Sequence, residues 1–281
     1  MDLLGFSSHM RVALYQCGSV SLALQGRVEP EHKAPDSSHQ RSTAVSAVDR
    51  ICQEILMLAA ASVAPDLAVY SEEMAACPDG LQRLFRGSNG YELVLDPVDG
   101  TDDYLAGKPT LGHMLGLLNL ATGRFDLGML YFPTDGVLLW GLREMGAFVA
   151  RGVGGADRRL PTPTVPRIVP QVKRMRPEDV LAITRMGLAL ETDGAASVAW
   201  RVRRLAEGDT GVGVFRQFHG HDTGPGSVIL EALGGAVLDG DGESARYAAD
   251  MPRDPLIVAS ADTELARDVV AALMDNAEAI P

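Results

Sequence analysis

Carboxylates collect at the ends of two short apolar segments of the chain. Residues 91–95 (YELVL) predict a strand that runs into Asp96 and Asp99, and an earlier apolar segment runs into Glu72 and Glu73. Without compensation, such charges would repel one another and would be costly to bury. Hard divalent cations such as Mg²⁺ prefer oxygen ligands and often keep phosphate oxygens in their coordination shell. The spacing therefore indicates a metal site.

The residues between and after the two aspartates suit the same chemistry. Pro97 stiffens the turn, and Gly100 with Thr101 offers backbone N–H groups at a predicted helix start, where a phosphate can bind. Taken alone, this stretch also fits an acidic turn that caps a helix. Taken alone, Glu72 and Glu73 fit a solvated acidic loop better than a site.

The predicted elements place these residues on an α/β framework. Ser46 is the expected cap of a helix that has Asp49 in its first turn. Residues 29–43 are polar, contain two prolines and predict a loop. Other predicted helices cover residues 12–24 and 224–233, the second stopped by two glycines, and other predicted strands cover residues 67–70, 111–120, 127–132 and 137–142.

Length and charge exclude some classes of protein. The 281 residues suffice for one large domain or two intimate halves, and we expect halves at 1–152 and 153–281 that form one compact unit, with the boundary in the Gly- and Pro-rich residues 152–170. A net charge of -12 argues against nucleic-acid binding. The three scattered cysteines favour a reduced, cytoplasmic setting, and no segment predicts a signal peptide or a membrane span.

Several motifs together resemble one family. Residues 96–101 (DPVDGT) resemble the signature of the inositol monophosphatase family, within the wider group of lithium-sensitive sugar and nucleotide phosphatases. Residues 71–73 (SEE), 45–49 (VSAVD) and 222–235 (DTGPGSVILEALGG) resemble its other segments in the same order. The likeness extends over nearly the whole chain. It implies the family's layered α/β fold, shared with fructose-1,6-bisphosphatase, in which layers of helices and sheets alternate.

The resemblance implies a set of metal ligands. One Mg²⁺ would be held by Glu72, Asp96 and the backbone carbonyl of Val98, and a second by Asp96, Asp99 and Asp222. A third, weaker site would involve Glu72. The expected cofactor is therefore two or three Mg²⁺ ions.

The resemblance also assigns the catalytic groups. Asp49 and Thr101 would orient the attacking water, and backbone groups of Gly100 and Thr101 would hold phosphate oxygens. Each residue alone has a simpler explanation: Asp49 is an acid near a helix N-terminus, and Asp222 is a helix cap. The joint pattern favours the catalytic assignment.

The chain departs from the family pattern at several positions. Residues 103–104 (DY) replace Asn-Phe, and His221 replaces the Trp before the metal-binding Asp, where we expect packing or hydrogen bonding more than metal ligation. Ala195 and Ala196 stand in a segment expected near the substrate. Glu73, next to the first ligand, is expected to support the metal site or the substrate.

A further departure concerns the substrate. Some members bind inositol hydroxyls through a Glu shortly before the late Asp, whereas residues 215–218 (FRQF) contain Gln217 and no acid. We therefore expect Mg²⁺-dependent hydrolysis of a small phosphorylated metabolite, and we expect that myo-inositol 1-phosphate is not the best substrate. The alternatives are a 3'(2'),5'-bisphosphate nucleotidase, a histidinol-phosphatase, or a non-catalytic metal-dependent binding protein that keeps the fold. The family also implies a homodimer.

Overall fold

The computed structural model of the chain describes residues 1–29, 31–32, 44–171, 175–192 and 197–277. Its helices are α1 (Leu3–Leu24), α2 (Ala47–Val63), α3 (Asp79–Gln82), α4 (Thr101–Leu105), α5 (Pro177–Arg185), α6 (Val198–Glu207), α7 (Gly220–Ala232) and α8 (Thr263–Ala277), with a 3₁₀ turn at Met74–Ala76. Its strands are β1 (Glu31–His32), β2 (Ala44–Val45), β3 (Ala68–Ser71), β4 (Tyr91–Asp99), β5 (Gly112–Asn119), β6 (Arg124–Phe132), β7 (Val137–Leu142), β8 (Gly146–Arg151), β9 (Arg158–Arg159), β10 (Ile168–Gln171), β11 (Ala189–Thr192), β12 (Gly213–Phe215), β13 (Phe218–His219), β14 (Ala236–Asp239), β15 (Arg253–Asp254) and β16 (Ile257–Ser260). Among these residues, no helix combines the length and the apolar character needed to cross a bilayer.

Helices and sheets alternate in layers, which confirms the expected α/β fold. Strands β3 to β9 form a seven-stranded sheet in chain order, antiparallel apart from the parallel β3–β4 pair. Helices α1 and α2 cover one face of this sheet, and α6 and α7 cover the other. Beyond α7 lies a three-stranded sheet of order β12-β16-β14, which α8 covers with α5 beside it.

Strand β4 crosses the centre of the molecule and contributes to two cores. Leu93 and Leu95 pack on the side of α1 and α2, whereas Val94 packs on the side of α6 and α7. All three are completely buried. This is why the segment lacks the polar alternation of a strand with one wet face. Period 2 then places Asp96 on the same face as Val94, toward α7.

Three predicted boundaries were wrong in ways that bear on the site. Helix α1 begins at Leu3 and not at residue 12, because Asp2 caps it and the buried Ser7 satisfies its hydroxyl on the Leu4 carbonyl. Strand β4 continues to Asp99, because its ladder with β5 resumes after an irregular step. Helix α7 begins at Gly220, four residues earlier than predicted, so Asp222 lies inside its first turn.

Helix α7 lies unusually close to the large sheet. A Cβ atom on Gly128 of β6 would lie 1.8 Å from the Pro225 carbonyl oxygen of α7, and a Cβ on Gly141 of β7 would lie 3.1 Å from the backbone nitrogen of Ile229. Only glycine permits this approach of two backbones. The contact fixes the start of α7, and with it Asp222, against the end of β4.

Candidate active site

A break in the β4–β5 ladder aims the acids at the end of β4. Asp96 pairs with Met114 and Asp99 pairs with Gly112, so two residues of β4, Pro97 and Val98, lie opposite one residue of β5. This is the arrangement of a β-bulge, which bends a strand and redirects its side chains. The bulge therefore turns two carboxylates that are three positions apart toward the same region.

The carboxylates meet a third acid from α7. One oxygen from each of Asp96, Asp99 and Asp222 can be chosen so that all three lie within 4.8 Å of one another. Asp96 and Asp99 are buried, and the Asp222 side chain is 18% exposed. Oδ1 of Asp96 is buried and has no hydrogen-bond partner in the described part of the chain. Orphaned buried oxygens of this kind call for a ligand.

Asp99 is fixed by the N-terminus of α6. Its oxygens accept hydrogen bonds from the Ser197 hydroxyl (2.5 Å) and from the backbone N–H groups of Val198 (3.1 Å) and Ala199 (2.6 Å). Ser197 is also the N-cap of that helix. The positive end of a helix thus faces the carboxylate. Asp222 is held in a similar way, since its Oδ2 accepts the His219 backbone N–H at 2.7 Å.

Burial of like charges shifts the titration of the group. Desolvation, followed by the charge of Glu72 and then those of Asp99 and Asp222, raises the pKa of Asp96 well above its usual range. Desolvation also raises the pKa of Asp99 to about 7, against its hydrogen bonds from α6. The protein alone therefore holds these groups partly as acids, and a cation of high charge would favour the carboxylate forms.

Glu72 lies near the three aspartates but does not belong to the cluster whose oxygens come within 4.8 Å of one another. Its side chain is half-buried, and its charge contributes to the raised pKa values of both Asp96 and Asp49. Its backbone N–H donates to the Leu95 carbonyl at 3.1 Å, which ties the end of β3 to β4. Glu73 is buried, and its carbonyl accepts from the Gln53 side chain at 3.2 Å, so this part of the loop faces α2.

Asp49 and Thr101 meet at the edge of the carboxylate group. Ser46 caps α2, as the sequence predicted, and Asp49 completes a capping box, in which its Oδ2 accepts the Ser46 backbone N–H (2.8 Å) and hydroxyl (2.6 Å). Its Oδ1 lies 3.2 Å from the Thr101 hydroxyl, which is also 3.0 Å from the Val98 carbonyl. Burial raises the pKa of Asp49 to about 6.

Gly100 makes the transition from β4 to α4. It is the N-cap of α4 with φ of 86°, a left-handed conformation, and a Cβ there would lie 2.9 Å from the Ser197 Cβ. Both facts require glycine. The turn presents the first backbone N–H groups of α4 close to the acids.

The remaining candidate residues have different surroundings. His221 is buried and stacks on His219 (5.0 Å) and Tyr70 (5.7 Å), and its Nε2 lies 3.8 Å from Asp222 Oδ1. This geometry is that of packing. Gln217 is exposed and has φ of 58° between β12 and β13. Ala195 and Ala196 lie outside the described residues.

Sequence reasoning missed two residues that touch the site. Ser197 was missed although a serine before an apolar helical run is a capping signal, because nothing local links it to Asp99. His113, which donates to the Pro97 carbonyl inside the bulge, was missed because a single histidine in an apolar strand has no recognisable pattern.

The donor set fits a divalent cation. Clustered carboxylate oxygens with an orphaned Asp96 oxygen are the hard ligands that Mg²⁺ prefers. Among the described residues, the cluster consists of three aspartates and contains no cysteine or histidine, and Nε2 of His221 lies 3.8 Å from Asp222 Oδ1. Softer metals that select thiolate are therefore disfavoured by the ligand type.

Comparisons with known proteins find similarity to phosphatases. A family model described as the inositol monophosphatase family matches residues 8–278. A histidinol-phosphatase of Chlorobaculum parvum is 31% identical over 112 residues, which are 40% of this chain and 39% of that protein. The chain thus matches about two fifths of the length of this curated relative.

Solved structures show the same fold. The IMPase of Thermotoga maritima superposes with a TM-score of 0.71 at 21% identity, over 100% of both chains. An IMPase/NADP phosphatase complexed with Mg²⁺ and phosphate superposes with a TM-score of 0.73 at 18% identity, over 96% of both chains. At this level of identity the likeness concerns the fold alone.

The raised pKa values predict how the stability of the metal-free protein depends on pH. A carboxyl group whose folded pKa is raised binds its proton more tightly in the folded state. Its stabilising contribution is complete below the unfolded value of about 3.9 and is lost as the pH rises through about 6 for Asp49 and about 7 for Asp99. Urea unfolding in chelator should therefore give a lower free energy of unfolding at about pH 8 than at about pH 5.

Two carboxyl groups outside the site have shifts of the same sign and need a control. The pKa is raised to about 7 for Glu92 and to about 6 for Asp254. In the Glu92→Gln variant, the free energy of unfolding should lose only the part of its decline with pH that Glu92 causes. Added Mg²⁺ should abolish the part of this decline that the aspartate group causes, in both the variant and the wild type. A stability that rises over this interval in chelator would contradict the prediction.

Proposed function

The chain belongs to the inositol monophosphatase family, and from this we propose that it hydrolyses a small phosphate monoester with the help of Mg²⁺. The observation that carries the proposal is the meeting of three carboxylates with a threonine–aspartate pair at the end of β4. A metal site alone would need only the carboxylates. The adjoining pair adds a group that can accept a proton.

We assign the metal to the oxygens gathered at the bulge. Asp96, Asp99 and Asp222 supply the close-set carboxylates, and Glu72 and the Val98 carbonyl complete the set of candidate ligands, for two or three Mg²⁺ ions. Bound there, Mg²⁺ supplies the positive charge that stabilises charge developing on phosphoryl and leaving oxygens. The protein contributes the fixed positions of the ligands.

The Thr101 hydroxyl is suited to pass a proton toward Asp49. It carries one hydrogen and has two acceptors in reach, Asp49 Oδ1 and the Val98 carbonyl. When it donates to Asp49, its lone pairs are free to accept a hydrogen from water. Ser46 donates two hydrogen bonds to Asp49 Oδ2. These bonds fix the carboxylate, so Oδ1 keeps its direction toward Thr101. The pair can thus orient water and accept its proton.

Backbone groups at the start of α4 are assigned to the phosphate. The left-handed Gly100 leaves no side chain between the backbone and the space above it, and the N–H groups of Gly100 and Thr101 lie at the positive end of α4. A non-catalytic binding protein would need the carboxylates and these amides. It would have no use for Thr101 set against a buried Asp49, which is the feature that favours an enzyme.

Residues 215–218, which the family resemblance places near the substrate, bear on the leaving group. Phe215 and Phe218 are buried against each other, and Arg216 is neutralised by two 2.6 Å hydrogen bonds to Asp179. Of this stretch, only Gln217 is exposed. A carboxylate for a ring hydroxyl is therefore absent from residues 215–218.

Histidinol phosphate is the first alternative substrate to an inositol phosphate, because the curated relative of Chlorobaculum parvum is a histidinol-phosphatase. A 3'(2'),5'-bisphosphate is the second.

Several broader properties remain proposals. We propose that residues 1–152 and 153–281 act as one unit, since α7 packs on the large sheet and delivers Asp222 to acids of the first half. Family membership supports a homodimer, a cytoplasmic location and inhibition by Li⁺. Size-exclusion chromatography with light scattering tests the homodimer, and activity assays with LiCl test the inhibition by Li⁺.

The function is tested by phosphate release from a panel of small phosphate esters. We expect turnover that requires Mg²⁺ and that Asp96→Asn nearly abolishes, because Asp96 is proposed to serve two metal ions. Asp102→Asn is a matched control, since Asp102 is an exposed neighbour in α4. Wild-type protein without turnover on any ester, or Asp96→Asn with full turnover at ordinary Mg²⁺ concentrations, would reject the assignment.

Replacement of Thr101 separates proton transfer from metal binding. Thr101→Ala should keep the fold and Mg²⁺ affinity but lose turnover by about 10² to 10⁴-fold, the range of general-base assistance. Thr101→Ser keeps a hydroxyl and should retain most of the rate. The measurements are kcat and a direct Mg²⁺ titration by calorimetry. Near wild-type kcat in Thr101→Ala would show that the hydroxyl does not orient the water.

The substrate panel should not rank the inositol ester first. Without an acid in residues 215–218, myo-inositol 1-phosphate loses a charge-assisted hydrogen bond, so its kcat/KM should not be the highest among inositol, sugar, nucleotide and histidinol phosphates. Gln217→Glu restores a carboxylate at the exposed position and should raise the relative kcat/KM for the polyol. A clear wild-type preference for the inositol ester would mean that another residue supplies the contact.

A further inference from the structure

His113 is a completely buried histidine on β5 to which the proposed reaction assigns no role. Its ring packs beside Tyr131 of β6, with centroids 6.3 Å apart, and reaches Ser21 of α1. It therefore lies on the face of the sheet covered by α1, opposite the face on which Asp96 meets Asp222. A polar ring in this core needs a partner for each nitrogen.

Both ring nitrogens have partners, and these fix the tautomer. Nδ1 faces the Pro97 carbonyl, which can only accept, so Nδ1 carries the hydrogen. Nε2 is then an acceptor and receives the Ser21 hydroxyl at 3.2 Å. The Ser21 carbonyl in turn accepts from the Tyr104 hydroxyl at 3.0 Å. Burial lowers the pKa of His113 to about 4, so the ring is neutral at physiological pH.

The carbonyl that His113 holds belongs to the bulge. Pro97 and Val98 are the two residues of β4 that lie opposite His113 in the broken ladder. A bulge leaves backbone groups that the ladder cannot pair, and Pro97 has no N–H of its own with which to anchor the turn. The imidazole therefore anchors the turn from β5.

We propose that His113 is a positioning residue for the metal site: its Nδ1–H holds the Pro97 carbonyl and so fixes the bulge that carries the metal-binding carboxylates. This inference rests on the proposed function, because it takes those carboxylates as metal ligands. Without the bond, the carbonyl is buried without its donor and the turn relaxes. The carboxylates of Asp96 and Asp99, on either side of the turn, then no longer point toward the same region.

The chain provides a strict set of variants. His113→Leu removes the donor while it keeps an apolar body of similar bulk. In His113→Asn the amide nitrogen takes the place of Nδ1 and can still donate to the Pro97 carbonyl. His9→Leu is the matched control, because His9 is an exposed histidine that also contacts a serine hydroxyl, that of Ser62 at 3.2 Å.

The readout is Mn²⁺ affinity of the full chain, measured by calorimetry at neutral pH, beside thermal unfolding in chelator. His113→Leu should raise the Kd for Mn²⁺ by about 10-fold, at the low end of the range for residues that support metal ligands. His113→Asn should bind within about 3-fold of wild type, and His9→Leu should match wild type. A merely structural histidine would lower the unfolding temperature of both His113 variants and leave the Kd unchanged.

Each outcome decides the inference. Unchanged Mn²⁺ affinity in folded His113→Leu overturns it and leaves the proposed phosphatase intact. If His113→Leu does not fold, Ser21→Ala takes its place, because the Ser21 hydroxyl binds Nε2 and so helps to hold the ring with Nδ1 toward Pro97: a weaker Kd with His113 present supports the inference, and an unchanged Kd overturns it. Wild type that binds no Mn²⁺ overturns the metal site, and this inference with it.

Discussion

The architecture of the site depends on the placement of like charges in a buried position. Asp49, Asp96 and Asp99 are each almost completely buried, and Asp222 adjoins them. Coulomb repulsion and desolvation both oppose this arrangement, and the raised pKa values of Asp49, Asp96 and Asp99 express that opposition. The fold must hold the group together by other contacts until a cation compensates it.

Helix N-termini supply much of that compensation. Asp49 is in the first turn of α2, Asp222 is in the first turn of α7, and Asp99 accepts the first N–H groups of α6. Each helix end presents unsatisfied N–H groups and a partial positive charge. The same residues therefore serve as helix caps and as candidate site residues. The simpler explanations for Asp49 and Asp222 as caps are correct and do not compete with a role in the site.

The sequence predicted the local parts of this site and not its long-range parts. Ser46 with Asp49, and the Gly100 turn before α4, follow from capping and glycine signals that act within a few residues. The convergence of Asp96, Asp99 and Asp222 was inferred from a family resemblance, because no local rule links positions so far apart. The bond from Ser197 to Asp99 joins residues 98 positions apart.

His113 marks the limit of such inference. Its role depends on a bulge in the neighbouring strand, and a bulge is set by the register of two strands and not by either sequence alone. The predicted end of β4 at residue 95 was wrong for the same reason, since the strand resumes pairing at Asp99.

The two sides of the site differ in how much of the fold they support. On the side proposed for the metal, each aspartate carboxylate adjoins a helix N-terminus or a bulge, so a change of residue also removes a structural contact. On the side proposed for the substrate, Gln217 is exposed in a left-handed turn, while its neighbour Arg216 is anchored to Asp179. The anchored neighbour and the Gln217 N–H, which donates to the Asp254 carbonyl at 2.9 Å, hold the backbone of this turn. Specificity for the leaving group can therefore differ among proteins of this fold while the carboxylate group, on which their shared chemistry would rest, keeps its geometry.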